Sequence, residues 1–154
     1  DAFVKTILTV TEPHSLFAED LGIIPDSVMM LRKRHGLAGM AVLHFAFDDE
    51  NPNNPHRPEN IQEDQIVYTG THDNDTTVGW GVKPVDETVI EALNSVSNLA
   101  VIPLQDILKL GSEARMNTPG TKEGNWSWQC KWDDLNDANI DWFRTAIKDS
   151  GRLN

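Results

Sequence analysis

Two carboxylates stand where a chain could use them for acid–base chemistry. Glu19 follows the apolar run Ser15-Leu16-Phe17-Ala18, and Asp73 lies in the stretch YTGTHDNDTT, directly after Ile66 and Val67. A carboxyl in an apolar setting has a raised pKa, which keeps a proton available for general acid work. A solvated turn carboxylate has the same appearance in sequence, so position alone leaves both readings open. His72 beside Asp73 favours acetal chemistry. Cleaving a glycosidic bond needs an acid at the leaving oxygen and negative charge near a developing oxocarbenium ion. In that setting His72 would contact a sugar hydroxyl.

Other chemistries fit less well. An EF-hand register starting at Asp73 puts Val78 where Gly is required and Pro84 where a Glu should close the loop. His44 and His72 lack the partners that give zinc sites their spacing, so no metal is expected. Trp80, Trp126, Trp128, Trp132 and Trp142 could stack on sugars or pack internally, and their irregular spacing assigns none of them. Cys130 is the single cysteine, so no intramolecular disulfide can form.

The surrounding elements must present these groups. Phe3, Ile7 and Val10 recur at helical spacing, which predicts a helix over 2–11 ended by Glu12-Pro13-His14. Ser15 to Ala18 predicts a short strand. Asp26 opens the next helix, and Arg32-Lys33-Arg34 followed by Gly36 ends it with the polarity the helix dipole prefers. Met40 to Phe47 is continuously apolar, as buried parallel strands are, and Asp48-Asp49 closes it. After an Asn- and Pro-rich loop comes the strand Gln65 to Thr69. Val85, Val89, Ile90, Leu93 and Val96 predict one face of a helix, Leu99 to Leu104 a fourth strand, and Ile140, Phe143 and Ile147 a closing helix. Strands alternating with helices imply a parallel α/β sheet with right-handed crossovers. Polar clusters after the strands are what the catalytic face of such a sheet carries. A TIM barrel needs eight strands and about 250 residues, so the expected architecture is half a barrel.

The chain has 154 residues, 39% apolar and 24% charged, which suits one globular domain. Its net charge of −11 argues against nucleic acid or an anionic membrane surface as partner. There is no apolar run of membrane-spanning length and no signal-peptide pattern, so a cytoplasmic location is expected.

Three stretches carry a resemblance: Ala18-Glu19-Asp20-Leu21-Gly22, Thr69 to Thr77, and Leu110 to Gly120, followed by Gly124-Asn125-Trp126. In this order they resemble the amylomaltases, bacterial and plastid 4-α-glucanotransferases of the α-amylase clan. The resemblance spans residues 1–154 and implies the C-terminal half of a (β/α)8 barrel. It also implies transfer of α-1,4-glucan segments between maltooligosaccharides through a covalent glycosyl-enzyme, with no cofactor. By motif position, Glu19 is implied as general acid/base and Asp73 as transition-state stabiliser. His72 and Asn117 are implied as sugar contacts, and Phe45 and Asp49 as acceptor-side residues. The family's nucleophile is an aspartate on a strand upstream of the acid/base strand, and Asp1 does not match its motif. The missing N-terminal half-barrel would therefore be a partner, and the chain alone should be nearly inactive. The segment Thr77 to Val85 is shorter than in typical members. A noncatalytic glucan-binding remnant and an α-amylase-like hydrolase are the competing readings.

Overall fold

The computed structural model describes residues 1–12, 15–47 and 50–153. The expected helix stop at Pro13-His14 and the strand closure at Asp48-Asp49 lie outside them. A parallel sheet forms the centre, with strands β1 (Gly39–Val42), β2 (Gln65–Tyr68) and β3 (Leu99–Val101) side by side in that order. Register pairs Met40 with Ile66 and Ile66 with Leu99. Helices α1 (Ala2–Leu8) and α2 (Asp26–Arg34) precede the sheet. Helix α4 (Val85–Asn94) crosses from β2 to β3, and α6 (Asp137–Asp149) closes the chain. The α/β class and parallel sheet match expectation. No helix among the described residues is long and apolar enough to cross a membrane.

The strands are shorter than the sequence predicts. The segment Ser15 to Ala18 makes only a single parallel bridge, Phe17 to Ala38, with Ala18 N–H donating to the Ala38 carbonyl at 2.8 Å. One step on, the Met40 N–H finds the Asp20 carboxylate at 2.7 Å, so a side chain takes the place of a backbone carbonyl. The apolar run from Met40 leaves the sheet after Val42 and turns into a 3-10 helix, Leu43–Phe47, while Leu43, His44 and Ala46 stay buried. A continuous apolar run reports burial, not backbone conformation, and this one changes conformation while staying inside as far as Ala46, with Phe47 exposed.

Ala41, Leu43, Ile61, Val67 and Ala92 form the core, with Ala100 and Ile102 packed against it. On α4 the buried face is Thr88, Val89, Ala92 and Leu93, whereas Ile90, and Val96 beyond the helix end, are exposed. Helical rotation of about 100° per residue carries Ile90 off the face that Val89 occupies. After β3, Pro103 ends pairing and starts the short helix α5 (Leu104–Ile107), which puts Gln105 and Asp106 inside. The expected strand through Leu104 therefore stops at Val101.

Candidate active site

β2 ends beneath a turn tied by its own hydroxyls. Thr71 N–H and Oγ1 each donate to Asn74 Oδ1 at 2.8 Å, and Asn74 N–H returns to the Thr71 carbonyl at 3.1 Å. Side chains of this type replace backbone partners in tight turns, and here they leave His72 and Asp73 at the tip. Thr76 then accepts from Gly79 N–H and caps helix α3 (Thr77–Trp80).

The tip meets the stretch 115–117 from across the molecule. Asn117 Nδ2 donates to Asp73 Oδ1 at 2.6 Å, and His72 Nε2 lies 3.3 Å from the same oxygen. Arg115 donates to the backbone carbonyls of Asp73 and Asn117, each at 2.8 Å. Three of the expected site residues, His72, Asp73 and Asn117, are thus brought together. Arg115, unassigned in sequence, is the group that fixes them.

Beneath the tip lies a buried network. Asp106, only 1% exposed, accepts from Thr69 Oγ1 at 2.6 Å, from Thr77 Oγ1 at 2.8 Å and from Thr77 N–H at 2.8 Å. Because Thr77 gives its hydroxyl proton to Asp106, its oxygen accepts from His44 Nε2 at 3.0 Å, which assigns that nitrogen as the protonated one. His44 stacks on Trp80 at 4.3 Å, and the bare Cα of Gly70 makes room for its ring. The network fastens α5 to Thr69 and Thr77 at the two ends of the turn. Asp106→Ala would strand two hydroxyls and one N–H, and should cost about 2–3 kcal/mol of stability by urea unfolding. A loss below about 0.5 kcal/mol would show that water replaces the carboxylate.

Glu19 sits across the cavity. Its neighbour Asp20 is buried, its carboxylate shared between Met40 N–H and the Arg32 guanidinium, whose Nε is 3.1 Å away. Arg32 also reaches the Leu37 carbonyl at 2.8 Å and the Asp64 carbonyl at 3.1 Å. A Cβ on Gly39 would overlap the Asp20 carboxylate, so a glycine is required beside this pair. Asp20 thereby anchors the chain directly after Glu19, whose own side chain is exposed. Phe17, Leu21 and Met40 share the cavity lining with Glu19.

That cavity has a volume of about 450 Å³ and is lined by Glu19, Tyr68, His72, Asp73, Asp106 and Arg115 among others. Burial pushes the Tyr68 phenol above its ordinary value, so it stays neutral and can offer a proton without charge. Among the described lining residues, four carboxylates (Glu19, Asp73, Asp75, Asp106) face one guanidinium, Arg115. Such a lining disfavours anionic ligands and suits a neutral polyhydroxyl compound or a group developing positive charge. Phe45 is not part of the described lining. It packs edge-on to His56 at 5.4 Å, and its carbonyl accepts from Asn54. Asp49, the other expected acceptor-side residue, lies outside the described residues.

The family model described as 4-alpha-glucanotransferase matches residues 1–88 and 81–136, most of the chain. The chain belongs to the 4-alpha-glucanotransferase family. The two matched segments overlap over residues 81–88. A 4-alpha-glucanotransferase of Solanum tuberosum, named as chloroplastic/amyloplastic, is 41% identical over 96% of this chain and 29% of its own length. The 4-alpha-glucanotransferase of Thermus thermophilus is 46% identical over 74% of this chain and 28% of its own. An amylomaltase structure from Streptococcus agalactiae, in complex with acarbose, superposes with a TM-score of 0.88 at 28% identity. It covers 98% of this chain and 34% of that one. The chain therefore spans about a third or less of these 4-alpha-glucanotransferase relatives.

Proposed function

We propose that this chain supplies the acid/base and transition-state-stabilising part of a 4-α-glucanotransferase, built on neighbouring strands of a (β/α)8 barrel. The observation that carries the proposal is the Asp73, His72 and Asn117 cluster on the cavity that Glu19 also lines. In the first step the bond from C1 to the departing sugar oxygen breaks. Glu19 protonates that oxygen while a carboxylate nucleophile from outside these 154 residues bonds to C1. In the second step Glu19 takes the proton of an acceptor 4-hydroxyl, whose oxygen displaces the nucleophile, so configuration is retained.

Asp73, held by Asn117 and Arg115, keeps its charge pointed at the developing oxocarbenium ion. His72 holds sugar hydroxyls, and Phe45 and Asp49 serve the acceptor side. The substrates on this account are α-1,4-glucans and maltooligosaccharides, recognised as neutral chains by a strongly acidic lining.

The test is a transfer assay with maltotriose, run on this chain and on a polypeptide that places the family's nucleophile-bearing segment before it. Glucose and longer maltodextrins are expected from the joined polypeptide and not from the chain alone. Products of water attack only would make it a hydrolase. Maltodextrin binding without any product from the joined polypeptide would make it a binding module.

A further inference from the structure

Trp126 occupies a backbone conformation that its side chain disfavours. Its φ is +59°, in the left-handed region where a bulky L-residue crowds its own carbonyl, and this is where Gly is normally placed. The strain is held by the closure of a loop. Trp126 N–H donates to the Met116 carbonyl at 2.7 Å, and Asn125 Oδ1 accepts from Thr118 N–H at 2.9 Å. Burial does not repay it, because Trp126 is 59% exposed. The indole lies against His72, ring centres 5.1 Å apart and planes inclined by 36°. Met116 lines the cavity, so this closure sets the indole at the cavity rim, beside the Asp73 tip. A strained residue left in the open at a site points to a role in that site.

We propose that the open face of Trp126 is a stacking platform for a glucose unit of the bound glucan, next to the unit contacted by His72. Indole faces bind the apolar C–H face of a sugar while leaving its hydroxyls to solvent and to neighbours. The assignment rests on the glucan chemistry proposed above.

Calorimetric titration of the chain with maltoheptaose tests it, using wild type, Trp126→Gly and Trp126→Phe, with thermal midpoints for each. Trp126→Gly is expected to bind about tenfold more weakly. Its midpoint should be unchanged or raised, because Gly accepts this φ without strain. Trp126→Phe should recover most of the affinity, and the Gly effect should persist in a His72→Ala background. Unchanged binding in Trp126→Gly would overturn this inference alone. Weaker binding with a fallen midpoint, or an effect that vanishes without His72, would also overturn it, making the indole a packing or supporting group. No binding by wild type would also overturn this inference, whereas the proposed function stands or falls by the transfer assay on the joined polypeptide.

Discussion

Glu19→Gln, introduced into the polypeptide that carries the nucleophile, is expected to lower turnover of maltotriose by about 10²–10⁴-fold. The loss should depend on the leaving group. An unactivated sugar oxygen departs poorly without a proton, whereas fluoride departs without one, so maltosyl fluoride should still form the glycosyl-enzyme at close to the normal rate. The Gln variant cannot deprotonate the acceptor, so with the fluoride donor the second step becomes limiting. The thermal midpoint should not move, since the Glu19 side chain is exposed and its neighbour Asp20 does the anchoring. Equal losses with maltotriose and maltosyl fluoride would remove Glu19 from the acid role. Wild-type turnover of both would remove it from the site.

Arg32→Met is expected to destabilise the chain by about 3–5 kcal/mol, because it strands the Asp20 carboxylate in the interior. The side chains of Arg32 and Asp20 are only 4% and 6% exposed, so water cannot replace the lost partner. Both Arg32 carbonyl contacts would also be lost, unpinning α2 from the loop before β2. The double variant Arg32→Met with Asp20→Asn should recover part of the loss, since the amide is neutral and its oxygen can still accept from Met40 N–H. Urea unfolding of the single and double variants measures this. A single-variant loss below about 1 kcal/mol would mean the pair is not a buried ion pair in solution.

The sequence shows best what depends on local pattern. Gln65 to Thr69 reads as a strand because β-branched and aromatic residues cluster there, and it pairs as one from Gln65 to Tyr68. The run from Met40 reads as buried and is so as far as Ala46, but burial does not say that the backbone turns after Val42. Ser15 to Ala18 falls short as a strand because a side chain, Asp20, completes the hydrogen bonding twenty residues away at Met40. The same reason hides the groups that position the site. Arg32 reads as one of three basic residues suited to a helix end, yet it is buried against Asp20, while Lys33 and Arg34 fit the surface reading. Asp106 closes a strand-like run in the sequence, and its partners Thr69 and Thr77 are 37 and 29 residues away. No local period connects them. Trp126 is set apart from the other tryptophans by its φ and by its contact with His72, which their irregular spacing does not encode. Glu19, His72 and Asp73 were legible because their types carry chemistry, Asn117 only through the motif it shares with the family, and three of the four meet through side-chain contacts. Phe45 was not legible in the same way, since an aromatic residue in an apolar run packs as readily as it binds, and it packs against His56.

The most direct test of the glucan site is a nitrogen-15 amide correlation spectrum of the chain titrated with maltoheptaose. Binding is expected to shift the amides of Thr71 to Asp75 and Arg115 to Asn117, and the Trp126 indole N–H, while those on α1 and the outer face of α6 stay in place. Asp73→Ala should weaken the response. Unmoved signals at the 71–75 turn at saturating sugar, or shifts confined to the far side of the sheet, would contradict the account.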